Sequence, residues 1–298
     1  MKIFYKVKFP MKLDLLLYPS FALPLFDIKE DFIVKKYGFC SNLIIKRIED
    51  GYIVIHDDLK CLKYAEYILG LWFNPWSYIN EISNNFKSII INLLKMYPNF
   101  SLSVSPLDDL VIFTSIVLSR RTNYHVNTIK WIRALIENYQ DLSIIAKENF
   151  SNLFKITKSY QIKDLPRLLS YYLNIRDLIL SKAISARKLL FCKGIGPKVL
   201  YSFLLHILLN TSYAPIDSNL EFFIKNLKIY KEYSKPNKKY CMINECNNCK
   251  LTSCIEYKLK RDLGKLTGLF QTLVYVHVKK YCRKKNCNIC YLKDNCNK

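Results

Sequence analysis

Apolar and polar residues alternate through much of the first sixty positions, and this pattern predicts a sheet. Leu43–Arg47 and Tyr52–His56 flank Glu49-Asp50-Gly51, and Asp50-Gly51 is a strong hairpin-turn signal. The apolar segment from Lys12 to Phe26 is expected to supply further strands. From about Ala65 the pattern turns helical. Ser105-Pro106 opens one helix, with Ser as N-cap, Pro in the first turn, and Asp108 and Asp109 near the positive end. It runs to about Leu118. The polar break Ser119–Asn123 leads into a helix through Trp131 and Leu135, and more helices follow to Leu209. Tyr230–Lys239 is rich in Lys and Asn and reads as a linker. A helix around Leu263–Val278 separates two cysteine-rich stretches. The expected class is α+β, mainly α. An N-terminal antiparallel β-rich domain spans 1–64, a helical core 65–235, and a cysteine-rich metal-binding region 236–298 that includes the last helix returning to the core.

The chain has 298 residues, enough for two or three small domains with real cores, and its half-apolar composition excludes disorder. Its longest clean apolar stretch, Val199–Leu209, falls short of the roughly 18 residues of a membrane span. Lysines followed by Leu15, Leu16 and Leu17 mimic a signal peptide, but Asp14, Pro19 and Pro24 interrupt it and no cleavage site stands out. The expectation is a mature cytoplasmic protein. Lys and Arg number 46 against 24 Asp and Glu, a net +22. Such an excess concentrates polyanions and favours phosphate contacts. A lysine-rich compositional bias would give the same charge. An anionic membrane is the weaker partner, because no basic amphipathic helix stands out.

The turn Cys192-Lys193-Gly194-Ile195-Gly196-Pro197-Lys198 joins two helical stretches. Two of the seven glycines sit here, and Gly permits the backbone that reverses a helix within a few residues. Pro197 suits a first helical turn, whose unsatisfied N–H groups can hold a phosphate, and Ile195 would plug the hairpin. An ordinary packing elbow has the same residues. Downstream, Ala214-Pro215-Ile216-Asp217-Ser218 offers Asp217 as the N-cap of a helix beginning at Ser218. Together the two segments resemble the helix–hairpin–helix signature of the endonuclease III, 8-oxoguanine and AlkA-type DNA glycosylase superfamily. The resemblance implies a nucleophilic lysine at Lys198, an essential aspartate at Asp217, and DNA-backbone contacts at Gly194, Ile195 and Gly196. Cys192-Lys193 replaces the family's usual Leu-Pro or Leu-Lys. Leu118-Ser119-Arg120-Arg121-Thr122-Asn123-Tyr124-His125-Val126-Asn127 resembles the loop that fills the gap left by a flipped base, which adds Arg120, Arg121 and Asn127 as DNA-binding residues. Arg120 is read as the filler, where Gln or Asn is commoner.

Eight of the eleven cysteines lie in two sets of four. In a cytoplasmic protein such clustering means metal before disulfides. The terminal set is Cys282-x4-Cys287-x2-Cys290-x5-Cys296, a spacing that suits zinc or a [4Fe–4S] cube. Endonuclease III-like enzymes carry a cube in this place, so the resemblance implies a [4Fe–4S] cluster there. The upstream set, Cys241-x4-Cys246-x2-Cys249-x4-Cys254, is no standard part of that family. A second cluster, a zinc knuckle, or the only cluster with zinc in the terminal set all fit its spacing. Cys40, Cys61 and Cys192 read as buried hydrophobes. Lys279, Lys280, Arg283, Lys284 and Lys285 surround the terminal set and would face DNA or solvent.

Gln271 and Tyr275 lie four apart on the last helix and share a face. A core helix with one polar residue would look alike. The segment resembles the stretch of 8-oxoguanine glycosylases that reads and stacks on the flipped base, chemistry that needs an amide and a π face. The implied protein is a monomer that acts on double-stranded DNA containing a damaged base. It would remove that base, oxidised by this resemblance, through a partly desolvated Lys198 that forms a Schiff base and then permits β-elimination. The competing readings are a non-catalytic iron–sulfur or zinc DNA-binding protein on the same scaffold and a zinc-bound nucleic-acid module.

Overall fold

The computed structural model of the chain describes residues 1–296. The early alternation folds into an antiparallel sheet of β1 (Lys2–Lys6), β2 (Phe26–Ile28), β3 (Phe32–Lys35), β4 (Ile44–Ile48) and β5 (Gly51–Ile55), ordered β1-β5-β4-β3-β2. The hairpin at Asp50-Gly51 pairs Ile48 with Gly51. Ile33, Ile45 and Val54 align across three neighbouring strands and are fully buried, which fixes the face turned to the core.

Lys12–Phe26 does not form the further strands expected of it. It folds as α1 (Leu13–Leu17) and a 3-10 turn at Leu23–Leu25, and only Phe26 enters β2. Leu13, Leu16 and Leu17, at helical spacing, are the buried positions, and Pro19 and Pro24 cannot donate to a ladder.

The helices that follow are α2 (Leu59–Leu69), α3 (Asn84–Met96), α4 (Asp109–Leu118), α5 (Ile129–Tyr139), α6 (Phe150–Leu153), α7 (Tyr160–Leu180), α8 (Pro197–His206), α9 (Ser218–Asn226), α10 (Lys238–Ile243), α11 (Ile255–Leu263) and α12 (Thr267–Lys280). Helix α4 is buried continuously from Ile112 to Leu118 and packs against α7 and α8. It begins three residues later than the sequence suggests, after a 3-10 turn at Pro106–Asp108. Ser105 does not cap it: its hydroxyl donates to the Asp108 carboxylate at 2.6 Å.

That carboxylate joins sheet to helices. Asp108 pairs with Lys35 of β3 at 2.5 Å, both side chains being almost fully buried, and accepts the Phe39 N–H at 2.6 Å. Burial pushes the Lys35 ammonium below its ordinary pKa, with Asp108 opposing. Gly38 has φ +80°, and a side chain there would collide with Asp108. Cys40 and Cys61 are buried, as expected, but they form a disulfide across 21 residues rather than packing as separate thiols. The reading of them as simple hydrophobes is corrected: the β3–β4 turn brings Cys40 against the first turn of α2. Cys192 is a buried thiol. One apolar cluster runs from Met11 to Leu292, through sheet, helical core and cysteine-rich region. Among the described residues no helix is long and apolar enough to cross a membrane.

Candidate active site

The hairpin is built as the glycines require. Its first limb is a 3-10 segment, Ala186–Phe191, and its second is α8. Gly194 has φ +91°, which favours glycine, and an added Cβ would sit 3.1 Å from Arg120 Nη1. Ile195 is buried beneath the turn, and its N–H donates to Cys192 O at 3.2 Å. Gly196 is the N-cap of α8 and offers no side chain to cap it. A Cβ at Gly196 would meet nothing within 4 Å, so the positive end of α8 opens outward. The groove in front has a volume of about 550 Å³, and Arg120, Arg121, Gly194, Gly196, Lys198 and Lys235 are among its walls.

Two neighbouring arginines part ways. The Arg120 guanidinium folds inward, donating to Val117 O at 2.6 Å and to Gly194 O at 2.5 Å, while Gln161 donates to the Arg120 carbonyl. It thereby ties the loop after α4 to the hairpin. Arg121 adopts φ +52° and is exposed. Asn127 donates to Thr122 Oγ1 at 2.8 Å and closes a π-helical turn at Tyr124–Thr128, whose N-cap is Asn123.

On the other side of Lys198 lies a second cavity of about 520 Å³. Lys198, Asp217, Gln271 and Tyr275 all face it. Asp217 caps α9 as expected, accepting the Leu220 N–H at 2.8 Å. Burial raises its carboxyl pKa, against the pull of that hydrogen bond and of the Lys198 charge. Lys198 itself is exposed rather than partly desolvated. It is the second residue of α8. Gln271 is buried, yet among the described residues its amide has no hydrogen-bond partner. The Tyr275 hydroxyl meets His125 Nε2 at 3.1 Å, and His125 stacks on Tyr18 at 4.0 Å.

Several walls were not among the residues expected at the cavity. Lys279 and Arg283, read from the sequence only as part of a basic patch, line it. They continue the four-residue stride of Gln271 and Tyr275, a signal available in the sequence. His206 lies eight residues after Lys198 on the same face of α8, and burial holds its pKa down at about 4. Pro19 and Phe21 come from the loop after α1, and no local pattern announces them.

All eight clustered cysteines are reduced thiols. Cys282, Cys287, Cys290 and Cys296 line one cavity of about 160 Å³ beside His277, with Cys290 Sγ 3.4 Å from His277 Nε2. Burial, and then the three neighbouring thiols, push Cys282 up to about 11. In the upstream set Cys241, Cys246 and Cys254 are buried and Cys249 is half-buried. Among the described residues no three His, Cys, Asp or Glu side chains are drawn into a metal-holding arrangement.

The fold of the chain matches that of solved DNA glycosylases. Clostridium acetobutylicum 8-oxoguanine glycosylase/lyase, solved in complex with double-stranded DNA containing cytosine opposite 8-oxoguanine, is similar with a TM-score of 0.70 at 13% identity, over 94% of this chain and 98% of that one. The structure of MBOgg1 in complex with a low-affinity DNA ligand matches with a TM-score of 0.70 at 14% identity, over 94% and 96% of the two chains. The 3-methyladenine DNA glycosylase of Archaeoglobus fulgidus matches with a TM-score of 0.62 at 10% identity, over 95% and 99%. No protein-family model matches the sequence, and no curated protein is significantly similar to it.

Proposed function

We propose that this chain is a base-excision-repair DNA glycosylase with associated lyase chemistry, acting on a damaged base, oxidised by preference, in double-stranded DNA. The observation that carries the reading is the position of Lys198, which lines both the groove before the hairpin and the cavity holding Asp217, Gln271 and Tyr275. A phosphate held at the open end of α8 would leave its neighbouring nucleotide free to turn into the cavity, with the sugar beside Lys198. Gln271 supplies an unpartnered amide for the base edge and Tyr275 a ring beside it. Arg121, exposed on the loop, takes the gap-filling position, while Arg120 braces that loop.

Asp217 stabilises the positive charge that develops on the sugar as the glycosidic bond loosens. The Lys198 amine then bonds to C1′, and the base leaves with the bonding electron pair and takes up a proton. Ring opening gives an imine, and loss of a C2′ proton expels the 3′ phosphate. The terminal thiols have the chemistry of a thiophilic centre, and all four line one cavity. Cys282, Cys287, Cys290 and Cys296 would hold a [4Fe–4S] cluster there. Such a cluster would contribute structure and charge, since the proposed bond-breaking groups lie elsewhere.

The test is a panel of duplexes carrying 8-oxoguanine, oxidised pyrimidines, alkylated bases and mismatches, with borohydride added to trap an imine. Base release from at least one duplex, with covalent trapping that disappears in Lys198→Gln, is the expected result. Tight lesion binding without base release on any duplex would mean a non-catalytic binder.

A further inference from the structure

The cysteines between α10 and α11 play no part in the chemistry above, yet they pack against the elements that carry it. Cys241 ends its side chain 3.1 Å from the hydroxyl of Tyr201, and Cys246 lies 3.7 Å from the same hydroxyl. Tyr201 stands three residues after Lys198 on α8 and stacks on Tyr213 at 5.4 Å. Cys254 is the N-cap of α11, and two residues on comes Glu256, which is wholly buried. One Glu256 oxygen accepts the Ala214 N–H at 3.0 Å, in the loop that leads to Asp217. The other has no hydrogen-bond partner among the described residues.

The four cysteines are not drawn together into a metal-holding arrangement here, but one hydroxyl meets two of the thiols, and the buried Glu256 oxygen without a partner beside them is costly unless something positive joins it. The local backbone is that of the terminal set. In each set the x2 pair spans one 3-10 turn, with Cys249 N–H on Cys246 O at 3.3 Å and Cys290 N–H on Cys287 O at 3.2 Å. Both sets also share the x4-x2 spacing.

We propose that Cys241, Cys246, Cys249 and Cys254 hold a second thiolate-ligated metal centre, zinc or iron–sulfur, that anchors the helix of Lys198 and the loop of Asp217. Binding displaces the thiol protons and leaves four thiolates on the metal. Tyr201 then donates its hydroxyl to ligand sulfur, and Glu256 hangs the Ala214 loop from the first turn of α11. The anchoring half rests on the reading of Lys198 and Asp217 as the catalytic pair, whereas the metal half does not.

The experiment measures iron, sulfide and zinc per full-length chain, purified anaerobically. It compares the wild type with a Cys246→Ser/Cys249→Ser variant and a Cys287→Ser/Cys290→Ser variant. The upstream variant is expected to lose one centre's worth of metal and keep the rest, with loss of iron and sulfide identifying a cluster and loss of zinc a single ion. Equal metal content in the wild type and the upstream variant would overturn the proposal. Should the variant fail to fold, cysteine alkylation of the native wild type decides. The upstream four are expected to resist alkylation together and to become reactive together when a chelator strips the metal. Ready alkylation of Cys249 in untreated protein, with no metal released, overturns the proposal equally. None of these readouts uses base release, so failure of the glycosylase reading would be seen separately.

Discussion

At Asp217 one carboxylate caps a helix and, on the proposed reading, also serves the chemistry. It caps α9 through Leu220 and faces the cavity beside Lys198. Asn is nearly as good an N-cap as Asp, so Asp217→Asn should fold normally. It should nevertheless slow base release by about 10²–10³, the usual worth of a group that stabilises transition-state charge. Single-turnover rates on a true substrate check this, and a stable Asn variant at wild-type speed would leave Asp217 a cap and nothing more. Lys198→Gln should keep lesion affinity within a few-fold while borohydride trapping vanishes. The raised pKa of Asp217 adds a pH dependence. Folding holds this proton more tightly than the unfolded chain does, so its contribution to stability declines as pH rises through the raised pKa. The reaction needs the charged form, so the rate should decline as pH falls through that same value, above the ordinary aspartate range near about 4. A rate–pH profile of the wild type should show this acid limb, and the residual rate of the Asn variant should lack it.

Between elements, two polar links decide how the site is held. Asp108→Ala leaves Lys35 buried without its counter-charge, and loss of one partner from a buried pair costs roughly 3–5 kcal/mol. Urea denaturation should show a loss of that order, and Lys35→Met combined with Asp108→Leu should recover much of it. The second link is Arg120 to Gly194 O. Arg120→Ala should loosen the hairpin and weaken binding to undamaged and lesion DNA alike. Arg121→Ala should spare undamaged binding and lower lesion discrimination, which paired affinity measurements on matched duplexes would detect. The sequence announced the loop and both its arginines, but adjacent residues carry no sign of which one bends back. It announced the hairpin, the Asp217 cap and the Gln271–Tyr275 face because each is a short-range pattern. Lys279, Arg283 and His206 were equally legible had the helical stride been followed further. Pro19 and Phe21 were not, since they reach the cavity through the tertiary packing of a segment whose apolar run read as strand. The Cys40–Cys61 disulfide was hidden for a like reason: the pairing depends on how the β3–β4 turn meets α2.

Across the whole molecule the net +22 charge becomes a statement about DNA once Lys198, Lys235, Lys279, Arg121 and Arg283 are seen to line the two cavities. Affinity for undamaged duplex should therefore fall steeply with salt, by about 0.9 log units per decade of salt for each phosphate contact. A titration from low to moderate ionic strength measures the slope, and a flat line would reduce the charge to compositional bias. The disulfide bears on the compartment expected from the sequence. Such bonds persist in oxidising surroundings and in the cytosol of hyperthermophiles, and are rare in other cytosols.

The Arg120 brace has one more consequence. If Arg121 fills the gap and α8 holds the phosphate as proposed, the Arg120 brace sets the distance between them within the protein. A duplex bound there would have to bend to that distance. Any base pair that softens the stack lowers the work of opening, whatever its hydrogen-bonding edge looks like. On that reading damage would be sensed first as mechanical compliance, a weak point where the double helix yields to a gauge, and only afterwards as a chemical identity within the cavity.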